Sequence, residues 1–477
     1  MAIRSARLVA DTRTELSAAL ADLRRELGLP DAFPDDVLTE ADRAAREVPV
    51  DPDTAGLADL RGIPFLTIDP DGSTDLDQAL HIERTGAGVV LSYAIADVPA
   101  FVAPGGAVDD EARRRGQTVY APDGRIPLHP PILSEDAASL LPERDRRAYV
   151  WRFELDDGAR PVTTTLTRGV IRSREQWTYV DAQQAVDDGT APETLRELVW
   201  FGDQRAARES ERGGASLNIP EIRIVTTDSG YGLEVDEGVP LEDANAHVSL
   251  LTGMAAADIM LRGRIGILRT MPPASDDDVA AFRAQTAALG LPWAAGVPYG
   301  DYLRDLPRTP LGRVVREHAA SLFRGAGYVA FDGELPELTT QAAIAAPYAH
   351  TTAPLRRLVD RWSLVVCEAL ANGTEVPSWA RTSLRELPAA MGRSAQLAGR
   401  LDSGAIDRVE AAVLSGREGE EFAGIVLRRR DSEARVALTD PPVETTVADV
   451  DVEAGSTIRL RLERTDIGAG RAEFRVV

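Results

Sequence analysis

The sequence predicts an α+β protein that ends in a small β-barrel, and two observations lead to this prediction. Short strand-like runs fill residues 60–185 and long helical patterns dominate residues 190–410, so strands and helices are segregated rather than alternating. About sixty residues at the end return to short alternating runs, which suit a five-stranded closed barrel of the OB type. We expect a helical N-terminal segment over 1–58, a main domain over 59–412 and an OB-type domain over 419–477.

The individual elements are predicted from the spacing of their apolar residues. Apolar residues recur three and four positions apart in helices and at every second position in half-buried strands. The clearest helical patterns are 14–27, 36–47, 245–261, 276–289, 312–323 and 356–371. The clearest strand patterns are 65–68, 89–98, 162–173, 422–427, 434–438 and 457–462. The charged segment Ser415–Glu421 is expected to join the main domain to the barrel.

The bulk composition is that of a globular chain. The 477 residues are 44% hydrophobic, which is ample for the cores of two or three domains. The only cysteine, Cys367, lies in an apolar helical pattern, so no intrachain disulfide can form and we expect it in the core. The chain start lacks the apolar region of a signal peptide, and no apolar stretch is long enough for a membrane span. We therefore expect a cytoplasmic protein with no membrane partner.

The formal net charge of −23 argues against a general affinity for nucleic acid. Such affinity relies on basic side chains that displace condensed counterions from the phosphates. A basic channel can still exist within an acidic exterior, and whether the basic runs converge depends on the tertiary fold. These runs are Arg113–Arg115, Arg144 with Arg146–Arg147, Arg356–Arg357 and Arg428–Arg430.

The most informative segment is rich in aspartate and directly follows the apolar run Phe65–Ile68. It places Asp69, Asp71, Asp75 and Asp77 within nine residues, next to the turn formers of a strand end. Carboxylates held this close raise one another's pKa values unless a cation neutralises them. Hard oxygen ligands of this kind suit Mg²⁺ or Mn²⁺, so the segment predicts a divalent metal site.

Two other interpretations of this segment have to be weighed. An Asp-rich turn between strands can be only a solvated loop, and the segment alone leaves that possibility open. A calcium-binding EF-hand that started at Asp69 would need Gly at its sixth position and Glu at its twelfth. Those positions hold Thr74 and Leu80, and the incoming segment is strand-like, so an EF-hand is not expected.

Several motifs in order along the chain resemble the RNB catalytic domain of the RNase II and RNase R family. Residues 59–79 resemble the family signature, in which Thr-Ile-Asp is followed six, eight and nine positions later by further aspartates. The resemblance covers roughly residues 55–410 and implies an antiparallel sheet with packed helices, while the tail resembles the family's terminal RNA-binding OB barrel. The further matching motifs are Ile95–Val98, Arg115–Pro122, Ile126–Pro127, Ser139–Pro142 and Tyr348–Asp360.

The resemblance implies a metal-dependent 3′→5′ exoribonuclease that hydrolyses single-stranded RNA processively to nucleoside 5′-monophosphates. Carried over position by position, it assigns Asp69, Asp75, Asp77 and Gln78 to a site for two Mg²⁺ or Mn²⁺ ions. Asp77, Asp75 and Arg356 are the expected catalytic residues, with Arg356 clamping the scissile phosphate. The family resemblance also suggests a monomer.

The resemblance further assigns RNA contacts. Tyr120 matches the family tyrosine that stacks on the 3′-terminal nucleotide, and Arg357, Arg125 and Arg269 are expected RNA-binding residues. Relatives usually carry two cold-shock domains before the catalytic domain, and about sixty residues leave no room for them, so we expect a short form. His350 is expected to be a structural hydrogen-bonding residue.

The sequence departs from the family pattern at Gln78, where relatives carry a fourth aspartate. An amide oxygen can coordinate Mg²⁺, but the substitution removes one negative charge and should weaken the site. Two alternative functions therefore remain open. One is a catalytically weak RNA-binding protein, and the other is a metal-dependent phosphohydrolase that acts on small nucleotides.

Overall fold

The computed structural model describes residues 10–477, apart from 87, 123, 216–220, 228–229, 237, 308, 321 and 431. The predicted α+β architecture is confirmed in these residues. The helices are α1 Ala10–Glu26, α2 Asp35–Glu47, α3 Pro52–Ala55, α4 Ala107–Arg115, α5 Tyr179–Asp187, α6 Glu193–Arg212, α7 Pro240–Gly263, α8 Asp276–Ala288, α9 Tyr299–Asp305, α10 Pro310–Ala320, α11 Leu358–Ala371, α12 Ser378–Ser383 and α13 Leu387–Leu414.

Most strands belong to one central sheet and one C-terminal barrel. The strands are β1 Ala58–Asp59, β2 Leu66–Asp69, β3 Gln78–Thr85, β4 Gly88–Ala96, β5 Val119–Ala121, β6 Gly124–Ile126, β7 Asp145–Leu155, β8 Pro161–Arg172, β9 Glu175–Thr178, β10 Glu221–Thr227, β11 Gly230–Asp236, β12 Ile265–Thr270, β13 Gly327–Asp332, β14 Thr340–Gln341, β15 Ala346–Pro347, β16 Glu421–Arg430, β17 Glu433–Leu438, β18 Glu444–Val447, β19 Thr457–Asp466 and β20 Arg471–Val476.

The central sheet has seven strands in the order β1-β8-β7-β4-β3-β2-β9. Its inner pairs are antiparallel, whereas the edge strands β1 and β9 pair in parallel with β8 and β2. Both faces of the sheet are covered, so β4 is buried along nearly its whole length. Large side chains such as Tyr93 and Ile95 join one core, and the alternate residues Ala94 and Ala96 join another. The alternation follows from the two-residue period of a strand.

Different helices cover the two faces. Helices α6, α7 and α11 contribute to the core that contains Tyr93, and Cys367 of α11 is buried there as predicted. Helix α2 contributes Val37 and Ala41 to the opposite core. Helix α1 packs elsewhere, because its leucines join α13 and the barrel in a third core. The N-terminal helices therefore support two separate parts of the molecule.

The C-terminal strands form the predicted five-stranded barrel. Their order is β18-β17-β16-β19-β20, all pairs are antiparallel, and β18 also contacts β20, so the sheet nearly closes. Inward residues such as Val426, Val436 and Leu460 alternate with exposed ones and fill the interior. Glu418 and its neighbours form the linker between α13 and β16, as the charged sequence predicted.

The sequence patterns between 190 and 410 missed three short strand pairs. These are β10 with β11, β12 with β13, and β14 with β15. The pairs are two to seven residues long, and windows of that length carry little periodic signal beside long helices. The helix predicted at 356–371 begins two residues later than predicted, because Arg356 and Arg357 precede α11.

Among the described residues, none of the helices combines the length and the apolar character that a membrane span requires.

Candidate active site

The aspartate-rich segment begins where β2 ends. Asp69 is the last residue of β2, and the Ser73 N–H donates to the Pro70 carbonyl at 3.2 Å in the following turn. Gly72 in this turn has a φ of 74°, a left-handed conformation that favours glycine. The chain then stays irregular until β3 starts at Gln78. The turn therefore lets the chain leave one strand and pass its carboxylates across the sheet end before the next strand.

A serine from another motif fixes the irregular stretch. The Ser139 hydroxyl donates to the Thr74 carbonyl at 2.7 Å and accepts the Leu76 N–H at 2.9 Å. Leu76 itself is fully buried. The backbone on both sides of Asp75 is thereby held, and the positions of Asp75 and Asp77 are set by tertiary contacts rather than by strand geometry.

A second segment, far along the chain, closes over these aspartates. Asp77 accepts the Leu355 N–H at 2.7 Å and the Nε–H of Arg356 at 3.2 Å, across 278 and 279 residues of sequence. Gln78 donates its side-chain amide to the Thr352 carbonyl at 2.5 Å. The fold thus brings the Asp-rich motif and the Tyr348–Asp360 motif into direct contact.

Asp360 anchors this second segment. It accepts the Ala353 N–H at 2.7 Å and two N–H groups of Arg357, at 3.0 and 2.8 Å. Asp360 is fully buried, so its ion pair with Arg357 is shielded from solvent. Arg357 therefore braces the loop that presents Arg356, and its predicted role as an RNA contact remains a prediction.

Backbone hydrogen bonds to the Arg356 segment place Tyr120 next to the site. The Thr118 N–H donates to the Arg356 carbonyl at 2.9 Å, and the Leu358 N–H donates to the Gly116 carbonyl at 3.0 Å. A side chain at Gly116 would meet Ser394 at 2.6 Å, and its φ of 73° also favours glycine. This pairing holds the β5–β6 hairpin against Arg356 and leaves Tyr120 55% exposed beside the site.

Arg125 also comes from the β5–β6 hairpin, where it lies opposite Tyr120. Its guanidinium donates to the Asp75 carboxylate and, at 2.7 Å, to the Thr74 hydroxyl. It also forms an ion pair with Glu135 at 2.9 Å. Arg125 therefore lies at the site, but its contacts are with the predicted metal ligand Asp75. Its contact with RNA remains a prediction.

The site holds buried carboxylates that are only partly compensated. Burial raises the pKa of Asp69 to about 7, against the opposing effect of Arg356, and the Asp75 charge adds to the rise. Burial also raises the pKa of Asp77 to about 7, although Arg356 and the Leu355 N–H lower it. Strongly shifted carboxyl groups in a cleft are typical of functional sites.

The predicted metal site is not preassembled. Across the described part of the chain, no group of three or more His, Cys, Asp or Glu side chains is arranged to hold a metal ion. Asp75 is turned to Arg125, and Asp77 is engaged by Arg356. The donor chemistry still suits a divalent cation, because Oδ2 of Asp69 is buried without a hydrogen-bond partner in the described residues. The assignment of these aspartates and Gln78 as ligands remains a prediction.

Two residues singled out in the sequence, Arg269 and His350, contact Tyr328. The Arg269 guanidinium stacks over the Tyr328 ring at 4.8 Å, and the Tyr328 hydroxyl is hydrogen-bonded to Nδ1 of His350 at 2.7 Å. His350 is thus a hydrogen-bonding residue of the fold, as expected. Arg269 supports the same aromatic cluster, so its RNA contact stays a prediction.

The basic runs of the sequence lie in different elements of the described fold. Arg115 pairs with Glu111 at 2.7 Å, and Arg147 pairs with the buried Asp97 at 3.1 Å. Of these runs, as far as the structure describes their side chains, only Arg356–Arg357 reaches the aspartates through the contacts described above. Most of these arginines are ion-paired within the fold.

Sequence reasoning missed two contributors to the site. The Leu355 N–H is a backbone group, which no residue type can signal, and Glu135 lies in a helical turn with no notable spacing. The composition contains one further signal for contacts of this kind. The chain contains no lysine, so all of its 53 basic residues are arginine. The guanidinium group forms planar, two-pronged contacts with carboxylates and phosphates that lysine cannot form.

Comparison with protein families gives two matches. Residues 57–370 match the RNB domain, and residues 420–477 match the RNase II-type exonuclease C-terminal S1 domain. Among curated proteins, the mouse exosome complex exonuclease RRP44 is 30% identical over 323 residues, which are 63% of this chain and 33% of RRP44. The chain therefore spans about a third of the length of that relative.

Solved structures share the fold at low sequence identity. The apo form of Mycoplasma genitalium RNase R has a TM-score of 0.86 and 18% identity, over 98% of this chain and 78% of that one. Yeast Ssd1, described as a pseudonuclease, has a TM-score of 0.71 and 16% identity, over 92% of this chain and 58% of that one. Since the RNB model matches well over half of the sequence, this chain belongs to the RNB family of RNase II and RNase R.

Proposed function

We propose that this protein is a metal-dependent 3′→5′ exoribonuclease that hydrolyses single-stranded RNA processively to nucleoside 5′-monophosphates. One observation carries the proposal. The Asp77 carboxylate meets the Leu355 N–H and the Arg356 guanidinium, which lie 278 and 279 residues further along the chain. A buried acid held beside a half-exposed arginine is a poor arrangement for stability alone, because burying the charges is costly. It suits a site that binds a phosphodiester.

Arg356 is the residue proposed to bind the scissile phosphate. Its side chain is 45% exposed, and its Nε–H is the donor to Asp77. The terminal amino groups of the guanidinium can then reach a phosphate from the open side. A charge-assisted contact of this kind would strengthen as negative charge develops on the phosphoryl oxygens.

Tyr120 is proposed to stack on the terminal base. It is exposed beside Arg356 and lines a cavity of about 1100 Å³ that also borders α13 and the barrel. Stacking on an aromatic ring is tolerant of base identity, so it suits an enzyme that degrades RNA without sequence preference. The cavity gives a strand room to approach Tyr120.

Asp69, Asp75 and Asp77, with Gln78, are proposed to hold the metal. When bound, divalent ions neutralise phosphoryl oxygens and lower the pKa of a water ligand. Asp75 would have to exchange Arg125 for the cation, and Arg125 retains Glu135 as an ion-pair partner when it does so. The unpartnered Oδ2 of Asp69 requires no such exchange.

A second candidate is a catalytically weak RNA-binding protein. Two observations favour it: Gln78 replaces a family aspartate and donates to Thr352, and the predicted ligands are not preassembled. A fold match to a described pseudonuclease is consistent with this candidate, although such a match shows only the fold.

The test is degradation of 5′-labelled oligo(A) by the purified chain with Mg²⁺ or Mn²⁺, with and without EDTA. We expect a ladder that shortens from the 3′ end and disappears both with EDTA and in the Asp77→Asn variant. RNA binding without cleavage would overturn the proposal and support the weak RNA-binding protein. Turnover of dinucleotides without shortening of longer strands would support a small-nucleotide phosphohydrolase instead.

A further inference from the structure

A second cavity, of about 390 Å³, lies at the opposite end of the central sheet from the aspartates. It is bordered by the β7–β8 turn, the last turns of α6 and the middle of α7. The site end of the sheet is level with Ala148, since Ala96 donates to Asp77 and pairs with Ala148. The turn follows Leu155, seven residues and about 24 Å further along β7. The cavity is therefore separate from the candidate active site.

Four arginines line this cavity, which we call the arginine cavity: Arg160, Arg205, Arg208 and Arg212. Three of them follow a spacing of three and four residues on α6, so they share one face of the helix. The acidic residues of the lining are Glu211 and Asp258, which leaves a net charge of +2 from four positive and two negative groups. That excess stands out in a chain whose net charge is −23.

Counter-charges outside the lining offset part of this excess. The buried Glu209 opposes the charges of Arg205 and Arg212, and Asp156 pairs with Arg160 at 3.8 Å. Asp258 is engaged by Arg262, outside the lining, and Glu211 is shared between Arg208 at 2.8 Å and Arg160 at 3.5 Å. The Nε–H of Arg208 is buried and has no acceptor among the described residues. A buried guanidinium donor without an acceptor is costly, and an anion in the cavity would relieve that cost.

Arg205 lies in the same cluster of positive charge. It is 5% exposed, and its Nη1 donates to the Ala159 carbonyl at 3.1 Å, which braces the β7–β8 turn. Burial lowers the pKa of Arg205 to about 10, the neighbouring Arg212 and Arg208 add to that effect, and Glu209 opposes it. Bracing the turn explains Arg205 by itself. It does not explain why Arg208 lies against it. Arg212 also donates its Nε–H to the Ile344 carbonyl at 3.4 Å, so part of its guanidinium has a structural role.

Apart from Thr164, the rest of the lining is apolar. Pro161, Leu251, Met254 and Ala255 form a wall beside the arginines. A volume of about 390 Å³ lies within the usual range of small-molecule sites, about 300–1,000 Å³. A wall of this kind can pack against a sugar or base that is attached to an anion held by the arginines.

We propose that the arginine cavity binds a phosphate dianion, either as inorganic phosphate or as the phosphate group of a nucleoside monophosphate. Arg208 and Arg212 are the principal donors, because guanidinium forks match phosphate oxygens in pairs. The proposal does not depend on the proposed nuclease function, since the cavity shares no lining residue with the candidate active site.

The test is calorimetric titration of the full chain with AMP, inorganic phosphate and adenosine, in EDTA so that metal-dependent binding is suppressed. We expect Arg208→Gln to weaken AMP binding at least about tenfold. Arg152→Gln, which removes an exposed sheet arginine paired with Glu154, should leave it unchanged. Arg356→Gln removes the arginine proposed to bind phosphate at the candidate active site, so the AMP binding that persists in this variant belongs to the arginine cavity. Arg208→Lys should retain part of the affinity and serves if Arg208→Gln does not fold.

The three ligands separate the sources of the phosphate chemistry. Phosphate that binds as tightly as AMP would support a site for inorganic phosphate, and tighter binding of AMP would support a mononucleotide site. The proposal is overturned if neither ligand binds up to about 1 mM. It is also overturned if adenosine binds as well as AMP, or if Arg356→Gln removes binding and Arg208→Gln does not.

Discussion

Asp69 and Asp97 both stand at strand ends of the same sheet, yet their surroundings differ in kind. Asp97 is fully buried and accepts three hydrogen bonds, two from Arg168 at 2.8 Å and one from Arg147 at 3.1 Å. Asp69 has a buried oxygen without a partner among the described residues. A buried carboxylate that is fully paired stabilises the fold, whereas one left partly unpaired retains capacity for a ligand.

The candidate active site and the arginine cavity both contain buried charge that is only partly paired, and the two differ in its sign. At the candidate active site, negative groups exceed their partners, and the compensating species would be a cation. In the arginine cavity, positive groups exceed theirs, and the compensating species would be an anion. Unbalanced burial of charge is thus the feature that the two sites have in common.

The largest expected effect is the loss of stability in Asp97→Asn. Removing this charge leaves Arg147 and Arg168 buried without a full partner, which should cost about 3 kcal/mol in the free energy of unfolding. Urea denaturation measures it, with Asp71→Asn on the exposed turn as the control expected to change by less than about 0.5 kcal/mol. A loss equal to that of the control would show that Asp97 does not brace the sheet.

Asp69→Asn should do the reverse. We expect cleavage of RNA to fall at least about a hundredfold, about 2.7 kcal/mol, because a proposed metal ligand is neutralised. The free energy of unfolding should stay the same or rise, since an unpaired buried charge is removed. Single-turnover cleavage and urea denaturation give the two values. A variant that loses stability and keeps its activity would remove the contrast with Asp97.

Glu410 extends the contrast to the boundary between α13 and the barrel. Burial raises its pKa from 4.5 to about 8, against the opposing Glu444 N–H that it accepts at 2.9 Å. Because its folded-state pKa is raised, stability falls as pH rises from about 4.5 to about 8, by at most about 1.4 kcal/mol per pH unit. Glu410→Gln keeps an acceptor and removes this dependence.

The measurement is urea denaturation at pH 6 and pH 8. The stability of the wild type should fall more between these two values than that of Glu410→Gln, while the exposed Glu453→Gln should behave like the wild type. Equal falls in all three proteins would contradict the assigned role of Glu410.

The smallest expected effect concerns Gln78. Gln78→Asp restores a fourth carboxylate and should lower the Mg²⁺ concentration for half-maximal activity about threefold. It also loses the bond to the Thr352 carbonyl, so a small loss of stability accompanies the gain. Gln78→Asn introduces a side chain of the same length as aspartate but without its charge. It should show only the small loss of stability. An unchanged or higher Mg²⁺ requirement in Gln78→Asp would contradict the charge argument.

Much of the fold could be predicted from sequence, although the longest helix, α13 Leu387–Leu414, was not among the individual helical patterns. Helix α2 was predicted at 36–47 and is Asp35–Glu47, and strand β8 was predicted at 162–173 and is Pro161–Arg172. Their periodicity is strong because each buries one face against a large core. The short pairs such as β14 with β15 could not be predicted, since their pairing is decided by the segments that pack around them.

The sequence by itself determined the α+β class, the C-terminal barrel, the family and the Asp-rich segment, because local periodicity or an ordered motif indicates each of them. Only the tertiary structure decided which charges are compensated. It turned Asp75 to Arg125, paired Asp97 with two arginines, and brought Arg160 next to Arg208 at a second cavity. Charge balance is a sum over neighbours from distant parts of the chain, so it exists only once the chain has folded.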